Sequence, residues 1–234
     1  MNSTYLLDFN LKPRDILDLI SESDLKSFIT AKGIKSRGDL IDNILEHYKD
    51  SENLYLENYE NIAFRNYNVL KENGIQIPEA ELGVKFEELT KTIFSKLGFN
   101  VDESLRKQIN TSNDKIDIVI NIGNNEIIVV ECKSAKDKAY NKFSAVSRQL
   151  KAYQDLAIKK NYRVIKSLLV APEFSDGFTN ECELEYELNL SLITASSLSD
   201  ILNGFKSSKL KLLPYKLLMR DVLIQAERIL KAIQ

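Results

Sequence analysis

The chain has 234 residues and a net charge of −2, with 44% hydrophobic and 28% charged residues. That make-up is expected of a soluble globular protein, with room for one large domain or a medium domain plus a small one. It excludes a membrane-spanning helix, since no apolar run approaches the ~18 residues required, and its two cysteines, Cys132 and Cys182, are too few for a disulfide framework. Met1–Asn10 has no basic stretch followed by an apolar core, so no secretory signal is expected and a reducing cytoplasm is the expected home.

In chain order, residues 13–48 read as short helices. Ile16, Leu17, Leu19 and Ile20 form one apolar set, and Leu25, Phe28 and Ile29 another. A turn at 32–36 precedes a helix carrying Leu40, Ile41, Ile44 and Leu45, with Ser23 and Ser36 as expected N-caps. Residues 51–73 predict a further helix ending at Asn73-Gly74, and Pro78 breaks the chain before the next element. An amphipathic helix follows over 79–97, with Leu82, Phe86, Leu89, Ile93 and Leu97 on one face and Gly98 closing it. Strands are expected at 99–101, 116–122 and 126–133, the last two joined by a hairpin turn at Gly123-Asn124-Asn125. A helix over 141–160, strands at 164–171 and 190–194, a short helix from Ser196 and an amphipathic helix over 214–232 complete the pattern. The expected domains are a small all-α unit over 1–50, a helical connector over 51–78 and an α/β domain over 79–234.

Charge appears in two strands where the apolar pattern predicts none. Ile127, Ile128, Val129 and Val130 are apolar on both faces, as in a buried central strand, and then come Glu131, Cys132 and Lys133. Alternation puts Glu131 and Lys133 on one face and Cys132 on the other. Asp117 interrupts Ile116, Ile118 and Ile120, and the hairpin makes it a neighbour of Glu131. Adjacent carboxylates beside an apolar sheet repel each other and call for a divalent cation. Their oxygens suit Mg²⁺, with Mn²⁺ as a substitute, and a lysine beside such a site can oppose charge developing on a phosphate. Metal-assisted hydrolysis of a phosphodiester is the chemistry these residue types support. The structural alternative is a strand cap at Asp117 and a surface ion pair between Glu131 and Lys133.

The order Ile116-Asp117, a Gly-Asn-Asn turn, an apolar strand and Glu131-Cys132-Lys133 resembles the PD-(D/E)XK nuclease superfamily, with Ile116 standing where the family usually has proline. The resemblance implies a restriction-endonuclease-like fold, a central mixed β-sheet flanked by helices. It implies Asp117, Glu131 and Lys133 as catalytic residues, and Asp117, Glu131 and the Cys132 backbone carbonyl as metal ligands. The helix Leu82-Gly83-Val84-Lys85-Phe86-Glu87 resembles the first helix of such enzymes, which adds Glu87 to the metal and catalytic set. Gln149 and Tyr153, four apart on one helix face, are similar to the Gln-x-x-x-Tyr element of RecB-type members. That likeness implies a catalytic role for Gln149 and a DNA contact for Tyr153. The segment from Leu192 to the last helix is similar to type IIS cleavage domains of the FokI kind.

Residues 104–166 hold 13 Lys/Arg against 6 Asp/Glu, whereas 173–200 hold seven acids and no Lys or Arg. Lys136, Lys138, Lys142 and Arg148 in the basic region are expected phosphate contacts, which bring affinity without base information. Residues 24–45 resemble a SAP module, with Lys32, Lys35 and Arg37 around its turn, although 1–49 as a whole hold 7 Lys/Arg against 8 Asp/Glu. His47, the only histidine, lacks zinc-ligand partners and reads as surface or satisfied core. The expectation is a Mg²⁺-dependent DNA endonuclease of a restriction or phage-defence system. The alternative is an inactive nuclease fold that binds DNA or protein within a larger complex. A homodimer or partner subunit is compatible with the apolar C-terminal segment.

Overall fold

Ile127 to Val130 lie at the centre of the fold, fully buried on a strand with a neighbour on each side. The structure is a computed structural model that describes residues 13–112, 114–136 and 139–233. Lys138 and Met1–Asn10 lie outside the described residues. The chain divides into two compact units, Met1–Glu57 and Asn58–Gln234. The stretch expected to be a connector therefore splits, with 51–57 continuing a helix of the first unit and 58–78 belonging to the second.

The first unit is helical, with α1 at Pro13–Leu17, α2 at Glu22–Lys32 and α3 at Leu40–Glu57. Leu25, Ile29, Ile34, Ile41 and Ile44 make its core. The N-caps differ from expectation. Ser21, not Ser23, accepts from the Asp24 N–H, and Asp39, not Ser36, accepts from the Asp42 N–H at 2.8 Å. Gly33 ends α2 with φ +65, a conformation that costs glycine little.

The second unit is an α/β fold around a four-stranded mixed sheet of order β1-β2-β3-β4. Its strands are β1 at Ile118–Gly123, β2 at Glu126–Cys132, β3 at Arg163–Ala171 and β4 at Leu190–Thr194. β1 and β2 pair antiparallel, while β2–β3 and β3–β4 pair parallel. Asn124 and Asn125, at φ +53 and +57, form the tight β1–β2 turn, as the twist of a two-residue hairpin demands. A parallel neighbour needs a crossover, and α8 at Phe143–Lys159 supplies it between β2 and β3. Val146, Leu150, Tyr153 and Ala157 of α8 pack with Val119, Val129 and Leu169 on one sheet face. On the helix side, α4 spans Tyr59–Ala63, α5 Tyr67–Glu72, α6 Leu82–Lys96 and α7 Glu103–Ile109. Further along come α9 at Asp176–Leu184, α10 at Ala195–Lys206 and α11 at Ala226–Ile233.

The helix expected over 51–73 is three helices, ending at Glu57, Ala63 and Glu72. Arg65, at φ +54, turns the chain between the last two. The helix expected over 214–232 is a 3-10 turn at Tyr215–Met219 followed by α11. Between them Val222 to Ile224 lie against β4: the Leu192 N–H donates to the Val222 carbonyl at 2.6 Å and the Ile224 N–H to the Leu192 carbonyl at 2.9 Å. The unpaired edge of β4 offers main-chain partners that a continuous helix would leave unused.

Candidate active site

The antiparallel register pairs Ile118 with Val130, and one step further along it Asp117 stands opposite Glu131. A 2.8 Å hydrogen bond from the Cys132 N–H to Asp117 Oδ2 fixes that approach. Glu131 is only 1% exposed, at the end of the fully buried apolar run Ile127 to Val130. Its Oε1 is paired with the Lys133 ammonium. Its Oε2 lies 2.9 Å from the Tyr153 hydroxyl, which is also 2.6 Å from the Lys115 carbonyl and has one proton to share between them. The Gln149 amide donates to the same hydroxyl. Strand alternation thus brings Glu131 and Lys133 together, and the crossover helix delivers Gln149 and Tyr153 to them.

Burial and the neighbouring Glu131 charge push Asp117 up to about 8, Glu87 adds to the push, and the Cys132 N–H and Lys133 oppose it. Burial alone would lower Lys133, but Glu131 and Asp117 overcome it and raise the group above its usual value. Lys133 is therefore an ammonium at neutral pH, a source of positive charge and not a base. The same negative surroundings, added to burial, raise the Cys132 thiol and the Tyr140 hydroxyl.

Glu87 of α6 is near enough for its charge to reach Asp117. Its carboxylate is paired with Lys91 at 2.7 Å. Among the described residues no three His, Cys, Asp or Glu side chains gather closely enough to hold a metal ion. Glu87 thus acts on Asp117 through its charge. Glu88 is exposed and paired with Lys85 at 3.2 Å. The remaining donors, two carboxylates and the Cys132 main chain, are oxygens of the kind Mg²⁺ takes while keeping several waters. The observation that fits a cation here is the donor set itself: two adjacent carboxylates, with Lys133 paired to only one of them.

Tyr153 is fully buried in the core, and its hydroxyl donates to Glu131 Oε2. Lys136 is exposed, 3.6 Å from Glu79. Lys142 caps α8 and is exposed, as is Arg148, whose Nε donates to the Ser144 carbonyl at 3.3 Å. Lys32, Lys35 and Arg37 are exposed in the helical unit. Sequence reasoning missed Lys91, which holds Glu87 at i,i+4 spacing, and Tyr140, whose loop carries no periodic signal.

A model of the restriction endonuclease family Mrr_cat matches residues 80–202. The match covers more than half of the 234 residues, and the chain belongs to that family, whose domain is of the PD-(D/E)XK type. Among solved structures, one titled as restriction endonuclease FokI is similar to this chain at 14% identity and a TM-score of 0.44, over 80% of this chain and 31% of that one. This chain thus corresponds to about a third of that protein's length. No curated protein matches the sequence.

Proposed function

We propose that this chain is a divalent-metal-dependent deoxyribonuclease that cuts internal phosphodiester bonds, acting in restriction or phage defence. The observation that carries the reading is the half-buried Asp117 beside the buried Glu131, with the Lys133 ammonium at the edge of the pair. Asp117, Glu131 and the Cys132 carbonyl would hold Mg²⁺ or Mn²⁺, which when bound opposes phosphate charge and acidifies a water. Lys133 opposes the charge that grows on the phosphate as the water oxygen bonds to phosphorus and the bond to the leaving sugar oxygen breaks. Tyr153 and Gln149 keep Glu131 in place, so the carboxylate loses little freedom when a substrate arrives. Lys136, Lys142 and Arg148 supply backbone affinity, with Lys138 assigned to the same role from its place in the sequence.

The helical unit is proposed as an accessory SAP-like DNA module that uses Lys32, Lys35 and Arg37. The described helices include none long and apolar enough to cross a membrane, and the free cysteines fit a cytoplasmic enzyme. The test is plasmid cleavage by the purified chain. Nicking or linearisation is expected with Mg²⁺, none with a chelator, and none from Lys133→Ala that keeps its circular dichroism spectrum. Plasmid left intact by the folded wild-type chain with every divalent ion would contradict the proposal.

A further inference from the structure

The chain beyond Lys133 runs into a polar cleft that the motif residues do not line. The cleft has a volume of about 420 Å³ and is lined by Arg65, Asn66, Tyr67, Asn68 and Val69 from the α4–α5 turn and the start of α5, together with Lys136 and Glu79. The turn that carries Arg65 is tied to the chain following the active-site strand. The Ala135 N–H donates to the Ala63 carbonyl at 3.1 Å, and Arg65 Nε donates to Ser134 Oγ at 3.0 Å. Ser134 follows Lys133 directly, so the Arg65 guanidinium is anchored one residue from the candidate catalytic ammonium.

Arg65 is held there at a conformational cost. Its φ of +54 is left-handed, a region that L-residues with long side chains avoid and that is found disproportionately at functional sites. Gly83 on α6 makes room for it: a Cβ there would stand 3.3 Å from Arg65 Nη2 and 3.4 Å from Ser134 Oγ. No carboxylate pairs with Arg65 among the described residues. Glu79, the acid in the cleft, is instead matched by Lys136. The cleft thus holds an anchored guanidinium that no carboxylate pairs with among the described residues. It also holds the Tyr67 ring, 42% exposed, between the two amide residues Asn66 and Asn68 in the sequence. A guanidinium fork suits a phosphate, an exposed ring suits the face of a base, and amides suit a base edge.

We propose that this cleft is a nucleotide subsite: Arg65 holds the phosphate next to the scissile one, and Tyr67 stacks on the attached base. The proposal rests on the nuclease reading above and adds the residues that place the strand. It is tested by binding in a chain that does not cut. In a full-length Lys133→Ala background, the affinity for a fluorescent single-stranded oligonucleotide is measured by anisotropy across a salt series with Ca²⁺ present. Arg65→Ala is expected to weaken binding about tenfold and to lower the slope of log affinity on log salt by nearly one, and Arg65→Lys to restore the slope. A purely structural role for Arg65 would not change the salt slope by one charge. Tyr67→Ala, at an exposed position where folding is not at stake, is expected to weaken binding about fivefold or more with no change of slope. Affinities within twofold of the parent for both Arg65→Ala and Tyr67→Ala overturn the subsite, as does a parent that binds no oligonucleotide. Whether the cleavage reading falls with it is then read from plasmid cutting by the wild-type chain, which is independent of this result.

Discussion

Replacing Asp117 with Asn removes one of two adjacent carboxylates while keeping the shape and an oxygen for the Cys132 N–H. Burial first, and then the Glu131 charge, raise Asp117 from 3.8 to about 8 in the folded, metal-free chain. A carboxyl raised on folding binds its proton more tightly in the native state. It therefore costs no stability below the unfolded value, and stability is lost progressively as pH rises from about 4 to about 8. Four units at ~1.4 kcal/mol each set an upper limit of about 6 kcal/mol. Asp117 is only partly shielded from water, so we discount this to roughly 2–3 kcal/mol. The assay is guanidinium denaturation in chelator at pH 4.5 and pH 9. Asp117→Asn should match the wild type at the low pH and exceed it by that amount at the high pH, while losing cleavage. Mg²⁺ should return the missing stability to the wild type but not to the variant. Equal stabilities at pH 9, or a variant weaker there, would refute the claim that the two carboxylates repel each other in the folded chain.

Lys133→Ala leaves the Glu131 charge buried without its ammonium, so Lys133→Ala/Glu131→Gln should be more stable than Lys133→Ala alone by about 1–3 kcal/mol at pH 8, read from denaturation midpoints. Tyr153→Phe takes the hydroxyl from Glu131 and the Lys115 carbonyl. It should cost about 1–2 kcal/mol in unfolding experiments and lower kcat with little effect on KM. Gly98→Ala should destabilise by about 2 kcal/mol or more in the same assay. Gly98 has φ +88, and its added Cβ would fall 2.4 Å from the Lys211 carbonyl oxygen and 2.8 Å from Leu212 Cα.

The central hairpin was legible because its signals agree. The apolar run of β2, the asparagines of the turn and the charges beyond them all demand one register, and that register puts Asp117 opposite Glu131. Helix α6 was legible for the same reason, its apolar stripe ending at a glycine with positive φ. Two helices were not. In α7 only Leu105 and Ile109 are buried, and in α9 only Phe178 and Cys182, too few to establish a period. Their starts rest on side-chain caps, Asp102 to the Leu105 N–H and Ser175 to the Phe178 N–H. At 214–232 the spacing of Leu217, Leu218 and Val222 satisfied a helix, but an open sheet edge competed for the main chain and won at Val222 to Ile224. In the site, residue types and spacing indicated the carboxylates and the lysine. The burial of Tyr153 was not legible, because a helix period does not tell a core tyrosine from one at its border. Arg65 carried no signal at all: its position depends on a turn conformation and on the glycine across from it.

The claim on which the rest depends is that Asp117 and Glu131 together make one cation site. Mn²⁺ titration of the full chain, followed by electron paramagnetic resonance, tests it without reference to substrate or cleavage. The account predicts saturable Mn²⁺ uptake by the wild type, abolished by Asp117→Asn and by Glu131→Gln, with Mg²⁺ competing for the site. Equal uptake by all three chains, or none by the wild type, would contradict it.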